Sequence, residues 1–270
     1  MSMRRSHISL QALGVKRHMQ VITEAAFVLG AYSIYTQGRG FVYDDQLSPA
    51  FDNAWEIIGL ERVTGIFKEP VLQDWFIDNT TASVHFFNWF YILGYWPVIL
   101  GVAVFLYMNH RDAYYKYRTV ALITLGVALV IYELYPLAPP RMVSALGFVD
   151  TLRSFGLEEY HSASDALLYN PYAAMPSLHF ALAFIASLHF LRRDGGAVPK
   201  FLFSAYLGLM LVSIVVTGNH YIVDAVGSVG VVGAAFLIRN VGITMIRKMK
   251  GDSDVWFPSL TRDVVGGRRT

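Results

Sequence analysis

The chain has 270 residues, of which 54% are hydrophobic and only 16% are charged, and its mean hydropathy is +0.41. Soluble domains carry about 25% charged residues, so the composition excludes an ordinary soluble protein and favours a membrane protein. The net charge of +2 says little by itself, and no nucleic-acid partner is expected. The absence of cysteine excludes disulfides, cysteine metal sites and cysteine nucleophiles.

Six apolar segments are predicted to cross the membrane, since a span needs roughly 20 residues. In chain order they are residues 21–35, 86–107, 119–135, 177–191, 201–216 and 221–238. The first is the weakest, because Glu24 interrupts it. Glu24 and Glu133 are both costly within spans. We expect them to have a structural role, either paired with each other or lining a lipid cavity.

Two long segments between the spans are not themselves spans. Residues 40–83 carry two prolines and many charges, but apolar side chains recur there at near-helical spacing, at Phe51, Trp55, Ile58, Leu60, Val63 and Phe67. This pattern predicts an amphipathic helix in the outer membrane interface. Residues 136–175 begin within the string YPLAPPRM at 135–142, whose three prolines end a helix. The tryptophans at 55, 75, 89 and 96 fit an interfacial belt.

The distribution of positive charge predicts the orientation. Of the 22 Lys and Arg residues, 17 lie in segments on the same side as the N-terminus and 5 lie in the two long outer segments. Cytoplasmic segments are enriched in Lys and Arg, so both termini are expected to be cytoplasmic and the protein to lie in the cell membrane. The predicted organisation is an N-terminal arm at 1–18, a membrane domain at 19–250 and a polar tail at 251–270.

This topology brings five polar residues to the outer boundary: Arg141, Ser177, His179, His220 and Asp224. Ionisable groups near the hydrocarbon are costly and usually functional. His220 and Asp224 are four residues apart, so on a helix they lie one above the other. A carboxylate placed there accepts the imidazole N–H and determines which ring nitrogen is free.

The chemistry of these residues suits a phosphate ester. The helix that opens at Ser177 offers free backbone N–H groups to an anion, and Arg141 offers a planar guanidinium. A histidine that attacks phosphorus, with a second histidine that protonates the leaving oxygen, is a consistent mechanism. Three alternatives remain: a structural His220–Asp224 pair, a metal site of two histidines and a carboxylate, and an Arg141 that only reaches the outer headgroups. The other histidines considered, His85, His161 and His189, are interpreted as structural.

The motifs also resemble a known family. PSLH at 176–179 and HYIVD at 220–224 resemble the second and third signatures of the type 2 phosphatidic acid phosphatase superfamily. APPRM at 138–142 resembles the first signature in the branch that contains fungal inositol phosphorylceramide synthase. The resemblance covers about residues 50–233, including AWEIIGLERVTGIFKEP. It implies a phosphohistidine on His220, orientation by Asp224, protonation of the leaving group by His179, phosphate contacts from Arg141 and Ser177, and neither metal nor cofactor.

Two positions depart from that pattern. Leu134 stands where the common first signature has a lysine, and Ile214 stands where the common third signature has an arginine. Fewer cations suit a phosphodiester, with one negative charge, better than a monoester with nearly two. This favours transfer of a headgroup between lipids over hydrolysis of a monoester. Thr217, Asn219 and Tyr221 are candidate neutral donors, and Asn219 is assigned to the phosphate site.

The sequence therefore predicts an all-α protein, an integral-membrane six-helix bundle with an amphipathic interfacial helix on the outer side. The predicted function is transfer of a phosphoryl group or phospho-headgroup from a lipid phosphate ester to an alcohol or to water. The alternative is a non-catalytic lipid-binding or lipid-transporting protein. A transporter predicts spans broken near their middle, whereas the prolines here lie in loops or at span boundaries. No particular oligomeric state is indicated.

Overall fold

The computed structural model describes residues 2–40, 47–155, 170–193 and 195–249, with the side chains of the first helix described from residue 18 to residue 39. Regular structure in these ranges is helical, and the strand-like pairing within them is one isolated bridge between Leu137 and Ala173. The all-α prediction is therefore confirmed for the part of the chain that is described. The predicted arm and tail fall largely or wholly outside the described side chains.

The helices follow the chain in this order: α1 (Ser2–Gly40), α2 (Leu47–Thr64), α3 (Glu69–Asn79), α4 (Thr81–Trp89), a π-helical turn (Phe90–Gly94), α5 (Tyr95–Asn109), α6 (Arg111–Leu134), two 3₁₀ turns (Pro140–Met142 and Ser144–Leu146), α7 (Thr151–Ser154), α8 (Leu178–Arg192), α9 (Ala197–Val216) and α10 (Ile222–Met249).

Four helical stretches are long and apolar enough to cross a membrane: Thr81–Asn109, Arg111–Leu134, Ala197–Val216 and Ile222–Met249. Helix α8 is apolar but has 15 residues, which makes it about 22 Å long against a hydrocarbon core of about 30 Å. Helix α1 does not meet the same criteria in its described part. Length and composition thus support four of the six predicted spans, and the other two remain predictions.

Small side chains let the helices of the bundle pack closely. Helix α8 packs against α5, α6, α9 and α10. Its Ala181 and Ala186 are buried beside Val120 of α6 and Ala235 of α10. Between helices in a membrane the attraction comes mainly from close packing, which small residues allow. Helix α8 therefore lies at the centre of the bundle, and its first turn is held firmly in place.

Helix α2 covers the loops at one end of this bundle. Its buried face, which includes Ala50, Ala54 and Ile58, packs against Leu137 and Tyr221. Of the apolar stripe, Trp55, Leu60 and Val63 are exposed to 45%, 49% and 89%. The predicted helix is present, while its position in a membrane interface remains a prediction.

Of the two possibilities given for Glu24 and Glu133, that they pair with each other is wrong. Glu24 Oε1 lies 2.5 Å from Nη1 of Arg118 and accepts a hydrogen bond from the Tyr114 hydroxyl at 3.0 Å. Glu133 is exposed at the other end of α6. Because 15 residues of helix separate Arg118 from Glu133, or about 22 Å, the two glutamates lie at different depths in the bundle.

Candidate active site

Backbone hydrogen bonds join three loops at the end of the bundle that α2 covers. The loop after α6 meets the segment before α8, where Leu137 N–H donates to Tyr172 O at 2.7 Å. The same loop meets the turn between α9 and α10, where Arg141 N–H donates to Gly218 O at 2.8 Å. The structure therefore brings Arg141, Ser177, His179, His220 and Asp224 to one end of the bundle, as the sequence analysis predicted.

Gly218 makes the turn that carries His220. Its φ of +66° lies in the left-handed region, which glycine adopts without steric cost at the end of a helix. A Cβ atom there would lie 3.0 Å from Val149 O and 3.2 Å from Cβ of Arg141. The carbonyl of Ile214 then accepts from the N–H groups of Asn219 and His220 at 3.2 and 3.1 Å, so the end of α9 fixes the backbone of the candidate nucleophile.

The imidazole of His220 is buried and held through Nδ1. That atom lies 2.8 Å from the carbonyl oxygen of Ala174 and 3.3 Å from Oδ2 of Asp224. A carbonyl oxygen only accepts, so Nδ1 carries the hydrogen and Nε2 has the free lone pair. Burial, together with the charge of Arg141, lowers the pKa of His220 to about 3, against the opposing effect of the Ala174 carbonyl. The ring is therefore neutral at physiological pH, as a nucleophile must be.

Asp224 is fully buried in the first turn of α10. Its Oδ2 also accepts from the backbone N–H of Tyr221 at 2.9 Å. Its Oδ1 has no hydrogen-bond partner among the described residues. One carboxylate oxygen thus serves both the turn and the His220 ring.

His179 lies in the first turn of α8, with its ring centroid 6.2 Å from that of His220. Tyr91 stacks on it at 4.1 Å and 26°, and Tyr95 packs against it edge to face at 4.5 Å. The sequence analysis missed both tyrosines. Their separation of four residues near the start of an apolar span was the available signal.

Arg141 is held in place by two side chains. Its side chain is 6% exposed, Nε lies 3.5 Å from Oδ2 of Asp150, and Nη1 donates to Oδ1 of Asn219. An arginine so buried does not reach out to headgroups, so that alternative is wrong. Asn219, expected to contact phosphate, accepts from Arg141 and helps to orient its guanidinium, and its contact with phosphate stays a prediction.

The other predicted donors also make hydrogen bonds within the protein, and their contacts with phosphate stay predictions. Ser177 is buried and caps α8, where its Oγ accepts from Phe180 N–H at 3.4 Å. Thr217 Oγ1 donates to Ser213 O at 2.8 Å, and the Tyr221 hydroxyl donates to Ala138 O at 3.2 Å.

The two departures from the common signatures leave no cation in their place. The Leu134 side chain is 76% exposed at the end of α6, and Ile214 is fully buried. A different cation was missed by the sequence analysis. Arg39, at the end of α1, hydrogen-bonds to Tyr35 and interacts electrostatically with His179. The first helix therefore contributes positive charge to the surroundings of the site.

Of the histidines interpreted as structural, the two that are described pack against other aromatic rings. The described residues contain no group of three or more His, Cys, Asp or Glu side chains arranged to hold a metal ion. The His85 ring packs edge to face on Phe155, and the His189 ring lies 5.1 Å from that of His110. His161 lies outside the described residues.

Comparison with known proteins shows the family to which the chain belongs. It is 20% identical over 198 residues, or 69% of its length, to the phosphoinositol dihydroceramide synthase of Bacteroides thetaiotaomicron, and the match spans 63% of that relative. The crystal structure of Aquifex aeolicus LpxE is similar over 65% of this chain and 92% of that one, with a TM-score of 0.46 and 15% identity. The sequence model of the PAP2 superfamily matches residues 55–238, well over half of the chain. With its several apolar helices, the chain is a multi-pass membrane protein that belongs to the PAP2 superfamily.

Proposed function

We propose that this protein is a membrane enzyme that transfers a phosphoryl group or phospho-headgroup of a lipid phosphate ester through a phosphohistidine on His220. The observation that carries the proposal is the state of the His220 ring. Its Nδ1 is fixed by Ala174 and Asp224, and its Nε2 is left free and unprotonated. An oriented, neutral imidazole is the arrangement that histidine nucleophiles require.

The reaction has two balanced steps. In the first, Nε2 of His220 attacks phosphorus, the bond from phosphorus to the leaving oxygen breaks, and protonated His179 gives that oxygen its proton. In the second, His179 takes the proton of the incoming hydroxyl, which attacks phosphorus and breaks the P–N bond. His220 is then free again, and His179 is protonated for the next turnover.

The charge around the site supports a phosphodiester donor. Arg141 is already paired in part with Asp150, and positions 134 and 214 supply no cation. With Arg141 partly neutralised by Asp150 and Arg39 of α1 as a further cation, the net positive charge near the phosphate is modest, which suits one negative charge better than two. We infer that a lipid phosphodiester donates its headgroup to an alcohol acceptor, with Arg141 and the first-turn N–H groups of α8 holding the phosphate oxygens.

The proposal includes a place for the site in the cell. The positive charges counted above favour the same side for both termini, so the site, at the other end of the bundle, faces the outer side of the cell membrane. A lipid in the outer leaflet then reaches the site without crossing the bilayer.

The test is an assay of the purified protein in lipid nanodiscs against a panel of lipid monoesters and diesters, with and without alcohol acceptors. His220→Ala should lose nearly all turnover, whereas His85→Ala, a change at an exposed histidine, should keep it. Labelled phosphate should be trapped on His220, and most readily in His179→Ala with a leaving group that needs no proton. Chelators should have no effect.

Three results would count against this assignment. Full activity in His220→Ala, or covalent phosphate on another residue, would remove His220 as the nucleophile. Strict dependence of turnover on a divalent metal would favour a metal site formed by the two histidines and the carboxylate. Lipid binding without turnover of any donor would favour the lipid-binding protein instead.

A further inference from the structure

Two buried glutamates from the segment between the first two predicted spans reach the first turn of α10. Glu61 of α2 and Glu69 of α3 are both 0% exposed. Oε1 of Glu61 accepts from the backbone N–H of Val223 at 2.8 Å, and Oε1 of Glu69 accepts from that of Ile222 at 2.8 Å. First-turn N–H groups have no partner inside their own helix, so these glutamates cap α10 from more than 150 residues away in the sequence.

The capped turn is the one that carries the candidate catalytic residues. Tyr221 N–H donates to Asp224, Ile222 N–H to Glu69 and Val223 N–H to Glu61. Three successive backbone N–H groups therefore each have a different carboxyl oxygen as acceptor. They follow His220 directly, so the position of its ring depends on all three contacts. Because these N–H groups already donate to carboxyl oxygens, they are not available to a substrate phosphate. The N-terminus of α8 is therefore the helix end at which the phosphate would bind.

The loop between α2 and α3 brings the two glutamates together. Gly65 turns the chain with a φ of +75°, and Ile66 N–H donates back to Glu61 O at 2.9 Å. Pro70 stands at the start of α3, where its missing N–H costs nothing. Within the AWEIIGLERVTGIFKEP segment, this loop therefore places the carboxyl groups of Glu61 and Glu69 at the same end of α10.

The two carboxyl groups also act on each other. Their second oxygens, Glu61 Oε2 and Glu69 Oε2, are buried without another hydrogen-bond partner in the described ranges, and the two groups interact directly. Adjacent buried carboxylates do not both ionise readily. Burial, and then the neighbouring Glu69 carboxyl, raises the pKa of Glu61 to about 9.

We propose that Glu61 and Glu69 are positioning residues that share one proton and hold the 220–224 turn, so that Nε2 of His220 stays aligned with phosphorus. This rests on the proposed function, because the turn matters for catalysis only if His220 does the chemistry. A shared proton leaves one net negative charge at the positive end of α10, where it is stabilising. A second negative charge would repel the first in a site that excludes water.

The proposal predicts a loss of alignment in alkaline solution. The ionisable groups that face the pair are Asp224 of α10 and Tyr221 of the preceding turn. Because the pKa of Glu61 is raised, the stabilisation is complete below the ordinary glutamate pKa and is lost as pH rises through about 9.

The first experiment compares Glu61→Gln and Glu69→Gln with the wild type. Each glutamine keeps an oxygen for the backbone N–H and supplies a permanent donor to its neighbour, so kcat at pH 7 should stay within about threefold. The alkaline fall in kcat should move up by at least about one pH unit. Asp52→Asn and Asp74→Asn, changes at exposed acids on α2 and α3, should leave the wild-type profile unchanged.

The second experiment removes a contact. Glu61→Ala leaves Val223 N–H without its acceptor, so kcat should fall by about 30-fold or more while KM changes by less than about threefold. An unchanged alkaline profile in both glutamine variants, or full kcat in Glu61→Ala, would overturn the proposal.

The third experiment needs no activity and is done in a His220→Ala background. The Tm of that protein should fall as pH rises from about 4.5 to about 9, and adding Glu61→Gln should remove most of the fall. If Tm shows this pH dependence but no lipid is turned over, the proposed function is wrong and the shared proton is supported. If lipid is turned over but glutamine changes neither the pH dependence of kcat nor that of Tm, the shared proton is wrong and the proposed function is unaffected.

Discussion

The Nδ1 atom of His220 lies 2.8 Å from the carbonyl oxygen of Ala174, closer than the 3.3 Å that separates it from Oδ2 of Asp224. The backbone, more than the carboxylate, therefore determines which tautomer the ring adopts. Oδ2 of Asp224 also accepts from Tyr221 N–H. The His220 ring is therefore held by a backbone carbonyl and by a carboxyl group that also holds the turn.

Asp224→Asn should therefore be less damaging than the loss of a carboxylate that orients a histidine alone. Such a loss costs about 10⁴-fold in kcat elsewhere. Here we expect about 10²-fold, because Ala174 still accepts from Nδ1. Single-turnover kinetics of phosphohistidine formation would measure it. A loss as large as that of His220→Ala would show that the carboxylate alone sets the ring.

Tyr91 should affect protonation of the leaving group more than nucleophilic attack, since it stacks on His179 at 4.1 Å. Tyr91→Leu removes the ring face and should lower kcat for a lipid substrate by about tenfold. With a p-nitrophenyl ester, whose leaving group needs no proton, the effect should be under about twofold. Tyr91→Phe keeps the ring and serves as the control. Equal losses with both substrates would mean that Tyr91 only supports packing.

The neutral His220 ring should make the fold sensitive to acid. Its pKa is lowered from the usual 6.5 to about 3, so between these values the unfolded chain binds a proton that the folded chain does not. Stability is then complete above pH 6.5 and falls as pH drops toward 3. Tryptophan fluorescence melts should show a smaller acid loss of Tm in His220→Gln than in the wild type. Parallel curves would contradict this.

The orientation can be tested by cysteine labelling, because the native chain has no cysteine. A cysteine at Ser253 should be protected from an impermeant maleimide in intact cells and labelled after permeabilisation. A cysteine at the exposed Ser48 of α2 should be labelled from outside. The reverse pattern would place both termini outside the cell and the site inside.

Local patterns predicted much of the fold and part of the candidate site. The start of α8 was expected at Ser177 and lies at Leu178, with Ser177 as its cap. His220 and Asp224 were expected to meet because they are four residues apart, and they do. These features depend on periodicity, capping and short-range spacing, which a single sequence records directly.

Contacts between distant segments were not predictable in the same way. Ala174 binds His220 through a backbone oxygen, which any residue carries and no motif marks. Glu61 and Glu69 appeared only as acidic residues of a segment assigned to the interface. The partner of Glu24 could not be predicted either. Whether Arg118 or Glu133 lies beside it depends on how far α1 runs along α6.

The π-helical turn at Phe90–Gly94 fixes the length of the span that contains it. This turn holds one residue more than an α-helical one, and it separates Asn88, which exchanges hydrogen bonds with Thr151, from Tyr95, which packs on His179. Because the π turn absorbs that residue, deleting Leu93 would leave a plain α-helix with α4 and α5 in nearly the same register. Deleting a residue from the α-helical part of the span would instead turn one anchor by about 100° relative to the other, so that one of them faces away from its partner. A scan of single-residue deletions from Thr81 to Asn109 should therefore find the π turn the most tolerant position.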